Sequence, residues 1–265
     1  MVDTNTDALG GNEPEAAPEP QDPAATAPEG EIGEDLAADL ATAALSLARR
    51  FAAGATLWCL APAWEPHAQH IAVEFVHPVV VGAKALPAVA LTGPAVVGAA
   101  RLSVRPGDVI IAVAAADDPQ AGAVIRRAPA WGASALWIGN GPRPPAGAAD
   151  HVLWLDDPDP GRPAAGGFVL LYHLLWELTH VCFEHPGLLG QAVAADCDEE
   201  VCVTCSDEGR LGEVVTVGPG GEAVVLVAGY EERVSTALVE PVRGGDLVLV
   251  HAGMAISRLA EEGRP

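Results

Sequence analysis

The sequence predicts an α/β protein in two parts: a three-layer αβα sheet of parallel strands, followed by a small β-barrel. Three observations carry this expectation. Up to about residue 190, short continuous apolar runs alternate with helical patterns, as in a parallel sheet buried on both faces. From residue 201 the pattern changes to short β-branched runs separated by glycine-rich turns, with no helix between them. An acidic, cysteine-bearing stretch at 194–200 stands between the two patterns.

The elements follow in order. Residues 1–33 contain no Lys or Arg and many Pro, Gly, Ala, Asp and Glu, which predicts a disordered acidic tail. Residues 34–53 read as an amphipathic helix, with Leu36, Leu40, Ala43, Leu47 and Phe51 on one face and Gly54 as the stop. Apolar runs at 55–61, 88–92, 109–114, 135–138 and 151–155 are strand candidates, and 66–76 and 120–131 are helical. A long apolar helix over 167–183 closes this first domain, expected over 34–192, and 193–201 is a linker. In the second domain, 202–265, strands are expected at 214–217, 223–227, 234–239 and 247–250, with a short helix at 252–262 ending the chain.

Charge excludes some functions. With 36 acidic and 14 basic residues, the net charge of −22 repels phosphate backbones and anionic lipid surfaces. The most apolar run, 79–100, is broken by Lys84, Pro87, Gly93 and Pro94, so it does not suit a membrane helix of about 20 residues. The start of the chain lacks a basic, apolar secretory pattern. The expectation is a cytoplasmic protein with no nucleic-acid or membrane partner. Five cysteines, three of them crowded as Cys197, Cys202 and Cys205, suit metal or thiolate chemistry better than a disulfide scaffold.

Near the carboxy terminus, Gly245-Asp246-Leu247-Val248-Leu249-Val250-His251-Ala252-Gly253-Met254-Ala255-Ile256 is a strand ending in a histidine before small residues. A strand-end imidazole is rigidly held, accessible and a good metal ligand, although in a small barrel a histidine there is more often a satisfied core or turn residue. This segment, with the valine-rich stretch up to Leu238-Val239-Glu240-Pro241, resembles the HypC/HupF family of [NiFe]-hydrogenase formation chaperones from about Cys202 to Leu259. The resemblance implies a small OB-like barrel in which a cysteine near the start pairs with His251. Together they hold iron as a transient Fe(CN)2CO cargo for the hydrogenase large-subunit precursor, with a HypD-like iron scaffold protein as the other partner.

By position the matching cysteine is Cys202, and Cys205 competes for the role. The family's usual start, Met-Cys-Leu-x-x-Pro-Gly, is not kept here. Cys202 follows Val201, and Thr204-Cys205-Ser206-Asp207-Glu208-Gly209 stands where the Pro-Gly turn would be. Cys197, Cys202 and Cys205 are also spaced for three ligands of a zinc site completed by a histidine, or for redox chemistry.

The first domain, over roughly 36–190, resembles the sugar isomerase (SIS) fold, most closely its phosphoheptose isomerase branch. The cues are Ala68-Gln69-His70-Ile71-Ala72-Val73-Glu74, Leu86-Pro87-Ala88-Val89-Ala90-Leu91-Thr92, Arg105-Pro106-Gly107-Asp108-Val109-Ile110 and His173-Leu174-Leu175-Trp176-Glu177-Leu178. The resemblance implies a metal near His70, Glu74 and His173, with a further glutamine ligand replaced near Ala165. His70 and Glu74 stand one helical turn apart on one face, so a divalent ion there is an expectation, with His67, Glu177 or His180 nearby. The same three residues also suit a polar pocket retained for packing or docking.

Phosphate loops of that branch are serine-rich. Here the corresponding stretches read Ala61-Pro62-Ala63-Trp64-Glu65 and Ala114-Ala115-Ala116-Asp117-Asp118-Pro119, without hydroxyls and with carboxylates. Gly139-Asn140-Gly141 reads as a plain turn. The sequence reading is therefore a non-enzymatic maturation chaperone whose first domain docks partners and can form homo-oligomers. The alternative is a phosphosugar isomerase-like, metal-dependent enzyme with an accessory barrel.

Overall fold

The computed structural model describes residues 33–78, 82–155, 166–190, 209–239 and 241–259. The tail expected over 1–33 (Gly33 apart) and the linker expected over 193–201 lie outside the described residues, as do Cys197, Cys202, Cys205 and Ala165.

Helix α1 (Glu34–Ala52) buries Leu40, Ala43, Leu47 and Phe51, the face its spacing predicts. Gly54, at φ 94, turns the chain out of it. Five strands follow: β1 (Leu57–Leu60), β2 (Ala88–Leu91), β3 (Val109–Val113), β4 (Ser134–Asn140) and β5 (His151–Leu155). All pair in parallel, in the order β2-β1-β3-β4-β5. The helices between and after them are α2 (Glu65–Val76), α3 (Val96–Ser103), α4 (Pro119–Arg127), α5 (Gly167–Glu184) and the single turn α6 (Pro186–Leu189). Helix α3 had no bounds in the sequence reading, because its first residues, 96–100, fall in the apolar run that contains Pro87 and Pro94.

Continuous apolar strands result from cover on both faces. Val109, Ile111 and Val113 of β3 join the core shared with α1, α2 and α5. Ile110 and Ala112 point the other way, into the core shared with α3 and α4. The carboxylate of Asp108, just before β3, accepts from Thr56 N–H, Trp58 Nε1–H and Arg105 N–H at 2.9, 2.8 and 2.9 Å, and so ties the start of β3 to the start of β1. Strand order reverses between β1 and β3, and the chain leaves the two strands in opposite directions there. Residues 61–65 and 114–118 border that crevice, the place where open α/β sheets hold ligands.

The second part is a closed barrel of β6 (Arg210–Val217), β7 (Glu222–Val227), β8 (Tyr230–Ser235), β9 (Leu247–His251) and β10 (Met254–Leu259), in the order β10-β8-β7-β6-β9. Val214, Val225, Val227, Val234, Val248, Val250 and Ala255 fill its interior. Two expectations are corrected. The strand placed at 234–239 lies earlier, because Ala228 (φ 49) and Gly229 (φ 84) form a tight turn that starts β8 at Tyr230. Of the helix expected over 252–262, residues 254–259 form strand β10 instead, and 260–262 lie outside the described residues. Ala252 (φ 47) and Gly253 (φ 78) reverse the chain, and Met254 to Leu259 pair antiparallel with β9. Gly139 and Asn140, read as part of a turn, end strand β4, and the turn begins at Gly141 (φ 83). Among the described residues no helix is long and apolar enough to cross a membrane.

Candidate functional site

The His251 end of the barrel is built by local turn chemistry. Gly245 adopts φ 89, and the Asp246 carboxylate accepts from Arg243 N–H at 2.8 Å, which closes the turn before β9. The Val214 N–H donates to Asp246 O at 2.8 Å and the Gly245 N–H to Val214 O at 2.7 Å, fixing β9 against β6. Val248 and Val250 then point into the barrel, so the strand cannot slip by one residue without exposing them. His251 is the last residue of β9. It is half-buried and lies opposite Met254 across the tight turn. A histidine so placed is anchored through its backbone at the end of the strand.

The two described cysteines, Cys59 and Cys182, are free thiols buried in the first domain. Burial pushes both thiols above their ordinary pKa, with the nearby Arg49 opposing that shift at Cys182. They are poor thiolate donors.

In the first domain the structure brings His70, Glu74 and His173 together. One ligand atom from each lies within 4.8 Å of the others. His70 Nε2 stands 3.2 Å from Glu74 Oε1 and 3.2 Å from His173 Nε2, and His173 Nε2 is 3.7 Å from Glu74 Oε1. Helix α2 supplies the first two residues at i, i+4, and α5, packed against it, supplies the third. This convergent N, O and N donor set suits a divalent ion such as zinc.

Tyr172, which the sequence did not single out, organises the cluster. Its hydroxyl lies 2.9 Å from His70 Nδ1 and 3.4 Å from His67 Nδ1, so His67 joins at one remove. Burial and the adjacent Glu74 carboxylate push its phenol up to about 12. With His70 as the neutral Nε2–H tautomer, Glu74 accepts from Nε2 and Nδ1 accepts from the Tyr172 O–H.

His180 does not join the cluster. Its two ring nitrogens face Trp176 O at 2.9 Å and Lys84 O at 3.0 Å. Glu177 lies with Lys84, Trp176 and His180 along a separate groove.

The loops at the strand-order reversal are closed by the chain's own carboxylates. Glu65 Oε1 accepts from Gly93 N–H at 2.6 Å. Asp118 caps α4, accepting from Gln120 N–H and Ala121 N–H, both at 2.9 Å. The backbone donors of Gly93, Gln120 and Ala121 are therefore already taken up by carboxylates of the chain itself.

Residues 209–264 match the family model of the HupF/HypC family. No curated protein matches the chain. Among solved structures, the chain is similar to a phosphoheptose isomerase from Francisella tularensis, at 14% identity and TM-score 0.48, over 56% of this chain and 90% of that one. It is also similar to a phosphoheptose isomerase from Neisseria gonorrhoeae, at 18% identity and TM-score 0.44, over 54% of this chain and 86% of that one.

Proposed function

We propose that this chain, whose residues 209–264 fall in the HupF/HypC family, is a hydrogenase maturation chaperone that carries iron and performs no turnover of its own. The observation that carries the reading is His251 at the end of β9, held at the rim of a closed barrel beside a tight turn. Imidazole there and a thiolate from Cys202, or from its neighbour Cys205, form a mixed soft and intermediate donor pair suited to low-spin Fe(II). Two protein ligands leave the remaining positions to the cyanide and carbonyl groups of an Fe(CN)2CO cargo, and leave the ion labile enough to pass on. The donor would be a HypD-like scaffold and the acceptor the hydrogenase large-subunit precursor.

The carboxylate-closed loops of the first domain support a docking role over phosphosugar isomerisation, since Glu65 and Asp118 occupy backbone donors and repel phosphate. A divalent ion at His70, Glu74 and His173 is a second part of the proposal. It would supply a fixed positive charge beside α5, and Tyr172 would orient its His70 ligand.

The test is to replace Cys202, Cys205 and His251 singly by Ala and assay hydrogenase maturation in cells. Loss with His251→Ala and with one of the two cysteine variants is expected, with barrel folding checked by circular dichroism. Normal maturation in all three variants refutes the chaperone reading. Saturable heat on titration with sedoheptulose phosphate would restore the isomerase alternative.

A further inference from the structure

The outer face of the β6–β7 hairpin is covered by the chain itself. Leu211 and Leu226 pack against the core cluster that contains Ala128, Ala130 and Trp131 of the first domain. Glu213, two positions beyond Leu211 and paired with Leu226, is only 2% exposed although it projects outward from the barrel. Its Oε2 accepts from Trp131 Nε1–H at 2.6 Å and lies 3.3 Å from Arg101 Nε, and its Oε1 is 3.7 Å from Arg127 Nε. Arg127 is itself shared between the two parts. One guanidinium N–H donates to Ala123 O of its own helix at 3.1 Å and another to Gly245 O of the barrel at 3.2 Å.

The backbones also meet. Gly229 N–H, at the β7–β8 turn, donates to Ala130 O at 2.8 Å. Two glycines permit that approach. A Cβ on Gly132 would lie 2.5 Å from Ala228 O, and one on Gly229 would lie 2.7 Å from Trp131 O.

We propose that this contact is an interdomain latch keyed by Glu213. The first domain is the fixed seat of the barrel, and proteins that read the barrel engage it outside the β6–β7 face. A carboxylate on an outward strand position normally faces water. Here it is desolvated, and such a charge is tolerated only when its partners are complete. Two of the chain's 14 basic residues converge on it from α3 and α4, together with an indole N–H. That requirement selects one docked register. A purely apolar contact made by Leu211 and Leu226 would slide at little cost, whereas a displaced Glu213 leaves a buried charge unpaired. The latch stands whether or not the barrel carries iron.

The test is amide hydrogen exchange on the full chain, comparing wild type with Glu213→Ala and Gly132→Ala. The first variant removes the charge from the barrel. The second places a methyl group against Ala228 from the other domain and leaves the barrel sequence unchanged. Gly229 N–H reports docking, because its acceptor is Ala130. The amides of the β6–β9 ladder report barrel integrity. The expected result is a protected Gly229 amide in the wild type that exchanges at least about tenfold faster in both variants, with the ladder amides unchanged. The latch is overturned if Gly229 is unprotected in the wild type or keeps its protection in both variants. It is also overturned if the ladder loses protection together with Gly229 in both, since Glu213 would then serve the barrel's own fold.

Discussion

Zinc titration followed by thermal unfolding tests the three-residue cluster of the first domain, and mass action sets the size of the effect. The chain should first carry serine at Cys197, Cys202 and Cys205, so that thiolates do not compete for the ion. An ion that binds only the folded state stabilises it by about 2.7 kcal/mol at one hundred times its dissociation constant. At about 2–4 °C per kcal/mol for a domain of this size, the midpoint should rise by about 5–10 °C. His70, Glu74 and His173 each supply one ligand atom, so His173→Ala should remove most of that rise.

Tyr172→Phe is the sharper variant. With zinc on His70 Nε2, the ring must carry its hydrogen on Nδ1, where Tyr172 then accepts it and turns its own hydrogen toward His67. Loss of such an outer partner weakens metal binding about 10–100-fold. At the same zinc concentration the stabilisation should fall to about 1.4 or 0.4 kcal/mol. Because the ion needs neutral imidazole, the rise should also shrink as the pH is lowered. An equal rise in wild type, His70→Ala and His173→Ala would refute the site.

Two further outcomes follow from single residues. Tyr172 has its phenol raised to about 12, first by burial and then by Glu74, so Tyr172→Phe should remove a phenolate absorbance change centred near pH 12. The sign for stability follows: its contribution is full below the ordinary tyrosine value of about 10 and is lost as the pH rises toward 12, a slope that urea denaturation of the variant should lack. Asp108→Ala strands the N–H donors of Thr56, Trp58 and Arg105, and should cost about 2–4 kcal/mol in urea unfolding without altering the barrel ladder in amide exchange.

Much of the fold was legible because its sheet is covered on both faces. Residues such as Val109 to Val113 are then uniformly apolar, and no register has to be guessed. Strand β10 was not legible, for a physical reason. Ala252, Ala255, Ile256 and Leu259 fall at i, i+3, i+4 and i+7, which mimics a helical face. What overrides it is a left-handed pair at Ala252 and Gly253, and a non-glycine residue at positive φ leaves little trace in sequence. His70 and Glu74 were legible because one helical turn relates them. Tyr172 was not, since its partner histidines lie about a hundred positions away, on another helix. Glu213 was hidden for a similar reason. On a strand with one wet face a glutamate reads as solvated, and nothing local announces Arg101, Arg127 or Trp131.

Strand β9 links the two halves of the functional argument. Its first residue, Leu247, pairs with Glu213 at the latch, and its last, His251, is the candidate cargo ligand. Four steps of extended chain take the strand from one to the other, about 13 Å. Both strands that flank β9 hold it by antiparallel ladders, β6 from Arg210 to Glu213 and β10 from Met254 to Leu259. A barrel seated through Glu213 therefore fixes where His251 stands relative to the first domain. Under the proposed function, loosening the seat should impair delivery to a large partner while leaving the proposed ligand pair intact. Maturation that falls in Glu213→Ala, with iron retained on the purified protein, is the result this coupling requires. Full maturation in a variant whose Gly229 amide has lost protection would show that the seat and the cargo end act independently.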